Sequence, residues 1–319
     1  MFEKLVIVTR KTRLAELLQR FHTRGQAKFY LEHSGGDFAE YGAEDEAYQR
    51  SLAVVRRALD FGLPSQYMDR SLVPTYRFAP TDVVVVVGQD GLVANVAKYA
   101  CAQPLVGVNP DPGRYDGILL PWQPSEVRRA VAAVLEGRAV SRSVTLAEAT
   151  LNDGQRLLAF NDLFIGARTH VSARYRICAG GAAPSEAQSS SGVLVSTGAG
   201  STGWISSVFN MAAGVTAFAG GRRGSGIRLD WEDPRLLYAV REPFISRHST
   251  ARIVAGYVPP GGELGLESLM PAGGVIFSDG IESDFLEFNA GTSARIRASR
   301  DHALLVVKAP ARILEHAAI

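Results

Sequence analysis

Residues 82–95 read DVVVVVGQDGLVAN: an apolar strand runs into Gly-Gln-Asp-Gly, and a helix-like stretch follows at once. A helix start offers unpaired N–H groups and the positive end of the helix dipole, so an anion can sit there. Gly88 and Gly91 let the backbone come close to a phosphate, with Gln89 between the first glycine and the acid. Asp90 then places a carboxylate beside that anion. Such a carboxylate makes chemical sense if it binds magnesium or takes a proton from a hydroxyl being phosphorylated. The other reading is a tight strand-to-helix turn in which Asp90 is simply the helix N-cap.

Residues 193–204, VLVSTGAGSTGW, form a second strand ending in glycines. GAGSTG matches GxGxxG in form, but it lies in a β-rich stretch with no βαβ unit around it, so a Rossmann fingerprint is not supported. What survives is a glycine-rich loop entering a helix. Its Gly200, Ser201, Thr202, Gly203 and Trp204 could hold the polar and aromatic parts of a nucleotide, and a capped turn is the alternative. A third segment, FNDLFIG at 160–166, opens a strand with Asn161 and Asp162. An adjacent amide and carboxylate can bond a ribose or a base edge, although Asn-Asp is also ordinary turn chemistry. Arg241, Arg247 and His248 could meet phosphates or be surface charge.

The elements that must position these groups fall into two series. Over residues 1–139, strands at Leu5–Thr9, Asp82–Val87 and Leu105–Val108 alternate with helical stretches at Thr12–His22, Ala43–Leu59, Leu92–Ala102 and Ser125–Leu135. Ser125 suits the N-cap of the last helix. The acidic flank SGGDFAEYGAEDE reads as a solvated loop or helix start. This βαβ series predicts an α/β domain with a parallel sheet whose central strand is covered on both faces. Residues 140–308 read as alternating strands broken by Gly, Pro, Asn and Asp, with one helix at Ser201–Ala213, and predict a β-rich second domain. GGAAPSEAQSSSG and AGGRRGSG read as polar loops.

Bulk composition narrows the partners. The chain has 319 residues, 46% hydrophobic and 21% charged, which is ample for two cores. A net charge of +2 gives no field for nucleic acid. The six histidines make no metal-ligand spacing, and two cysteines in apolar surroundings point to a reducing compartment. No apolar run reaches the roughly 18–20 residues of a membrane span. These features predict a soluble, cytoplasmic protein without a membrane partner.

The order of the pieces carries more than any one of them. Strand-GxDG-helix, then GVN, then Asn-Asp at a strand start, then TxxGST before a helix and a late SDG resembles the NAD kinase family, which uses GGDG, NE or ND, TPTGSTAY and a late DG turn in this order. The match runs from about Leu5 to Val307. GVNPDPGRYDGILLP, NDLFIGARTHVSARYRI, SSGVLVSTGAGSTGW and REPFISR are similar to the mitochondrial-type branch in particular. The resemblance implies an α/β N-terminal domain, a β-sandwich-like C-terminal domain, an active site in a cleft between them, and a tail at 309–319 that returns to the first domain. It implies transfer of the γ-phosphoryl of ATP, with Mg2+, to the 2′-hydroxyl of the adenosine ribose of NAD(H), in a homodimer or higher homo-oligomer. Asp90 takes the place of the catalytic carboxylate. Asn161 and Asp162 fall on the dinucleotide pair, and Gly200–Trp204 on the nucleotide loop. Gly88, Gln89 and Gly91 frame the phosphate loop. Gln89 stands where the family has glycine, Leu92 where it has threonine, Ser191 where it often has aspartate, and Trp204 where it has tyrosine. Two rivals therefore stay open: a kinase of the same fold for a sugar, polyol or lipid, and a non-catalytic nucleotide-binding protein with an altered donor loop.

Overall fold

The computed structural model describes residues 1–180 and 184–309. Beyond Ala309, the tail expected to return to the first domain lies outside the described residues. Two compact units divide the chain: Met1–Val96 with Gln103–Arg142 and the residues from Leu304 on, and Ala97–Ala102 with Ser143–Ala303.

In the first unit, β1 (Lys4–Thr9) leads through α1 (Arg13–Phe21), α2 (Arg24–His33) and α3 (Phe38–Ala58) to β2 (Ser65–Asp69). Then come β3 (Asp82–Val87), α4 (Asp90–Ala97), β4 (Pro104–Val108) and α5 (Val127–Leu135). The strands pair in parallel in the order β2-β1-β3-β4, and the end of β16 (Ser293–Val307) adds alongside β4 through Leu304 and Leu305. All six residues of β3 are buried, as a parallel strand covered on both faces requires. Val83, Val85 and Val87 pack with Tyr48, Leu52 and Val55 of α3 and with Val127 and Val131 of α5.

Several boundaries differ from the sequence reading, each for a local reason. The acidic flank is a helix start, as one of its two readings had it: residues 34–37 form the turn before α3 and are mostly exposed, and α3 begins at Phe38. Asp37 caps α3 by accepting the Ala39 N–H at 2.8 Å, and Glu44 is buried between Arg10 and Arg13. Ser125 is not a cap; it lies in a 3-10 turn, Pro124–Glu126, whose preceding Gln123 N–H donates to the Glu126 carboxylate. α4 stops at Ala97, and α2 was not apparent because only Ala27 and Leu31 are buried along its ten residues. The readable signal for α2 is Thr23 three residues before Gln26, whose N–H the Thr23 hydroxyl accepts.

The second unit contains β5 (Val140–Leu151), β6 (Arg156–Ala159), β7 (Asp162–Ala167), β8 (Ala173–Ala179), β9 (Glu186–Ser190) and β10 (Val193–Ser196), continuing on from the first unit at β5. After α6 (Trp204–Phe218) follow β11 (Leu236–Val240), β12 (Ala255–Val258), β13 (Leu264–Ser268), β14 (Gly274–Ser278), β15 (Ile281–Glu287) and most of β16. One antiparallel sheet runs β12-β11-β10-β7-β14-β15. In the other, β16, β13, β8 and β9 follow one another, and β5 joins β16 to β6. Tyr175, Ile177, Leu264 and Ile296 of the second sheet pack against Leu163, Ile165, Val195 and Ile276 of the first, which makes a β-sandwich. The stretch SEAQSS, read as loop, contains β9; its polar residues pair along β8, so its hydrophobicity gave no sign of a strand. α6 begins at Trp204 rather than Ser201, because Ala199–Thr202 form a separate 3-10 turn, and it runs on to Phe218.

Candidate functional site

In the first unit β1 lies between β2 and β3, and the chain reverses direction across the sheet at β1/β3. Ligands of open α/β sheets bind outside the carboxyl ends of strands at such a point. The GQDG loop follows β3 there. Tyr48 anchors the strand end: its hydroxyl donates to the Val87 carbonyl at 2.9 Å and accepts the Arg10 N–H at 3.0 Å. The Leu92 and Val93 N–H groups return to the Gln89 carbonyl. The N–H groups of Gln89, Asp90 and Gly91 have no intramolecular partner among the described residues, so the loop keeps an anion-receptive rim.

The two glycines of this loop are there for different reasons. A Cβ at Gly88 would lie 2.7 Å from Leu92 Cδ2, so a side chain there would make the Leu92 side chain shift. A Cβ at Gly91 would meet nothing within 4 Å, and Gly91 is not at positive φ. Among the described residues nothing crowds position 91, so the backbone there is open to close approach from outside. Gln89 is exposed.

Asp90 is not the N-cap of its own helix. Its Oδ1 accepts the N–H of Leu119, 29 residues further on, at 2.6 Å. Gly107 allows this, since a Cβ there would run into the Leu119 carbonyl. Asn109, from the GVN segment, shapes the loop before Leu119 by donating to the Tyr115 carbonyl and accepting the Asp111 N–H. Asp90 is thus oriented by the β4–α5 connection, and its second carboxylate oxygen has no protein partner among the described residues.

In the second unit three motifs converge. Asp162 opens β7, opposite Ser196 at the end of β10, while Leu163 pairs with Ser278 at the end of β14. The Asn161 carbonyl accepts the Thr197 N–H at 2.9 Å and both the Ser196 and Thr197 hydroxyls. Gly200 sits tight against that same carbonyl, where a Cβ would clash, and Gly198 sits against the Asp230 carbonyl. Gly198 and Gly200 of GAGSTG therefore serve close backbone passage, not a Rossmann phosphate turn. Ser201 is buried, and its hydroxyl bonds the Gly198 and Leu229 carbonyls and the Leu229 N–H. Thr202 and Gly203 are exposed, and the Thr202 hydroxyl has no partner among the described residues.

Asp279 closes the group. Its carboxylate accepts the N–H groups of Phe160 at 3.0 Å, Asn161 at 2.6 Å and Asp162 at 3.3 Å, and its own N–H donates to the Asp162 carbonyl. The Asn161 and Asp162 backbones are consumed in these bonds, while their side chains form none among the described residues. Asp162 is only 7% exposed. Burial, and then the charge of Asp279, push its carboxyl up to about 7.

Two residues beyond Asp162, on the same strand face, Phe164 stacks on Trp204 at 5.6 Å and on Phe277 at 4.9 Å. These rings line an open pocket of about 440 Å³ with His170, Arg241 and Glu282. The Arg241 guanidinium lies 5.3 Å from the Trp204 ring, whereas Arg247 and His248 do not line the pocket. An aromatic platform, a cation and an unpaired carboxylate–amide pair suit a flat heterocycle attached to a hydroxyl-rich, anionic body. Phe164, Phe277 and Lys98, whose place is given below, were not singled out from the sequence, and Asp279 entered only as part of the late SDG turn. The signal available was register: Phe164 and Phe277 are direct partners across β7 and β14.

No protein-family model and no curated protein matches the sequence. Solved structures do. The chain is similar to yeast NADH kinase complexed with NADH, at a TM-score of 0.57 and 16% identity, over 97% of this chain and 84% of that one. It is also similar to an NAD kinase from Archaeoglobus fulgidus in complex with ATP, at a TM-score of 0.52 and 14% identity, over 95% of this chain and 93% of that one. The α/β unit and the β-sandwich unit together define a two-part architecture. That architecture is the NAD kinase fold, as the order of the motifs predicted.

Proposed function

We propose that this chain is an NAD(H) kinase-like phosphotransferase, moving the γ-phosphoryl of ATP to the 2′-hydroxyl of the adenosine ribose of NAD(H) to give NADP(H). The observation that carries the reading is Asp162. A carboxylate this deeply buried without a hydrogen-bond donor is costly, and the hydroxyls of a ribose would supply the missing donors. Asn161 offers a further free polar group next to it, Thr202 offers one on the turn whose Gly200 packs on the Asn161 carbonyl, and the stack of Phe164, Trp204 and Phe277 offers a surface for a base. The two solved relatives with this fold hold NADH and ATP.

In this reading the free N–H groups of Gln89, Asp90 and Gly91 receive phosphate oxygens. Asp90, held by Leu119, takes the proton of the attacking hydroxyl or orients it. Positioning and charge neutralisation supply most of the rate. Among the described residues no cluster of three or more His, Cys, Asp or Glu could hold a metal ion. In this reading magnesium enters with the phosphates of ATP, as that ion commonly does. A cytoplasmic setting belongs to the same proposal, and no described helix is long and apolar enough to cross a membrane. So does a homodimer, for which α6 offers exposed Met211, Val215 and Phe218; sedimentation at micromolar concentration tests it.

A second reading, a non-catalytic dinucleotide-binding protein, is favoured by Leu92, which is buried against Gly88 and brings no hydroxyl to the donor loop. The deciding experiment is incubation of the chain with Mg-ATP, or polyphosphate, and NAD or NADH, followed by assay of NADP(H). Product formation supports the kinase. Dinucleotide binding without product supports the second reading. Absence of dinucleotide binding sinks both and turns attention to sugar, polyol or lipid acceptors.

A further inference from the structure

The late SDG turn has so far been an anchor. Its residues are unusual in ways that a hairpin does not require. Asp279 and Gly280 link β14 to β15 with φ of +54° and +70°, so the two central positions are left-handed. Asn-Gly and Asp-Gly are the usual residues for such a turn, and both solve its backbone problem. Only aspartate offers two oxygens and no donor. Here both oxygens are used, and every group bonded to them is a donor: the N–H groups of Phe160, Asn161 and Asp162. Burial raises the Asp279 carboxyl, opposed first by the nearby ammonium of Lys98 and then by those three N–H groups. Lys98 is itself buried, with Nζ 2.7 Å from the Ser278 hydroxyl and 3.4 Å from Asp284. A buried lysine is rare without an anionic partner, and the ion-pair partner of Lys98 is Asp284, across the hairpin from Asp279.

We infer that Asp279 is the positioning residue of the proposed dinucleotide site: by accepting three consecutive backbone N–H groups, it holds the Asn161–Asp162 turn so that both side chains stay free for the ligand. The inference rests on the dinucleotide reading above. It goes beyond that reading in assigning a role to a residue whose two carboxylate oxygens are both taken up by backbone N–H groups. An asparagine at 279 keeps the left-handed turn but brings one acceptor oxygen and an unwanted donor to a place lined with donors.

The test uses the full chain and two measurements. Calorimetric titration with NADH and with Mg-ATP compares wild type with Asp279→Asn. The expected result is at least about a tenfold weakening for NADH, with ATP affinity unchanged. Wild type that binds no NADH overturns the dinucleotide reading, and the positioning role with it. Wild type that binds while Asp279→Asn binds equally well overturns the positioning role alone, as do equal losses for both ligands. The second measurement needs no variant: residue-resolved amide exchange of the wild type without ligand. Protection at Phe160, Asn161 and Asp162 before NADH is added is the expected result. Amides there that exchange freely and become protected only with NADH would refute preorganisation by Asp279, whatever the variant does.

Discussion

Asp90 and Asp162 are both carboxylates at the ends of buried strands, yet their surroundings give them different work. Asp90 has one oxygen tied to the Leu119 N–H. Asparagine can keep that acceptor, so Asp90→Asn is expected to retain the melting temperature while turnover falls by about 10²–10⁴-fold. Asp90→Ala is expected to lose turnover and also about 1 kcal/mol of stability. Wild-type turnover in Asp90→Asn would reduce the residue to a structural tie. Asp162 has no such tie, and its carboxyl is raised from 3.8 to about 7. Between those values the folded chain holds a proton that the unfolded chain has released. The associated stability is therefore complete below about 4 and lost as pH rises to 7. Asp162→Asn removes this dependence. Its stability relative to wild type, from urea unfolding, is expected to be more favourable at pH 8 than at pH 4.5 by more than about 1 kcal/mol. An unchanged difference at the two pH values would contradict a buried, unpaired Asp162.

Glycines in the two loops separate what the elements need from what a ligand needs. At Gly200 a Cβ would enter the Asn161 carbonyl, so Gly200→Ala forces the GST turn away from β7. Overpacking of this kind costs about 1–3 kcal/mol, and NADH binding should weaken along with the melting temperature. At Gly91 a Cβ has open space, so Gly91→Ala should leave stability unchanged or slightly raised. Turnover should nevertheless fall, because the methyl group stands where a phosphate would approach. Full activity in Gly91→Ala, in the NADP(H) assay, would place the phosphates elsewhere. Gln89 projects from the same rim and is exposed. Gln89→Gly should therefore leave turnover unchanged or raise it. A fall of about tenfold would mean that the Gln89 amide contacts the phosphate donor.

For the whole molecule, any ligand bound only by the folded chain stabilises it by mass action. NADH at a hundred times its dissociation constant is worth about 2.7 kcal/mol, which a thermal-shift measurement resolves. NAD or NADH is expected to raise the melting temperature, and sugars and polyols are not. A shift with a polyol and none with either dinucleotide would move the protein to the other-acceptor reading. The net charge of +2 offers no general attraction for these anionic ligands, so their binding has to come from local groups such as Arg241 and the helix start at Gln89–Gly91.

The fold class was legible in the sequence, because an unbroken valine strand and an alternating strand announce different surroundings: covered on both faces in one case, half-exposed in the other. The candidate loops were legible too, since glycine, aspartate and asparagine at strand ends have few local uses. Weakly amphipathic elements were not. α2 buries only two residues, and β9 is held by pairing with β8 rather than by an apolar pattern. Partnership across the chain was equally hidden. Nothing around Asp90 marks the N–H of Leu119 as its partner, and nothing around Asn161 marks Asp279, more than a hundred residues away. Local sequence constrains backbone conformation and burial over a few residues. Which donor meets which acceptor is decided by strand register and loop closure, and those exist only once the chain is folded.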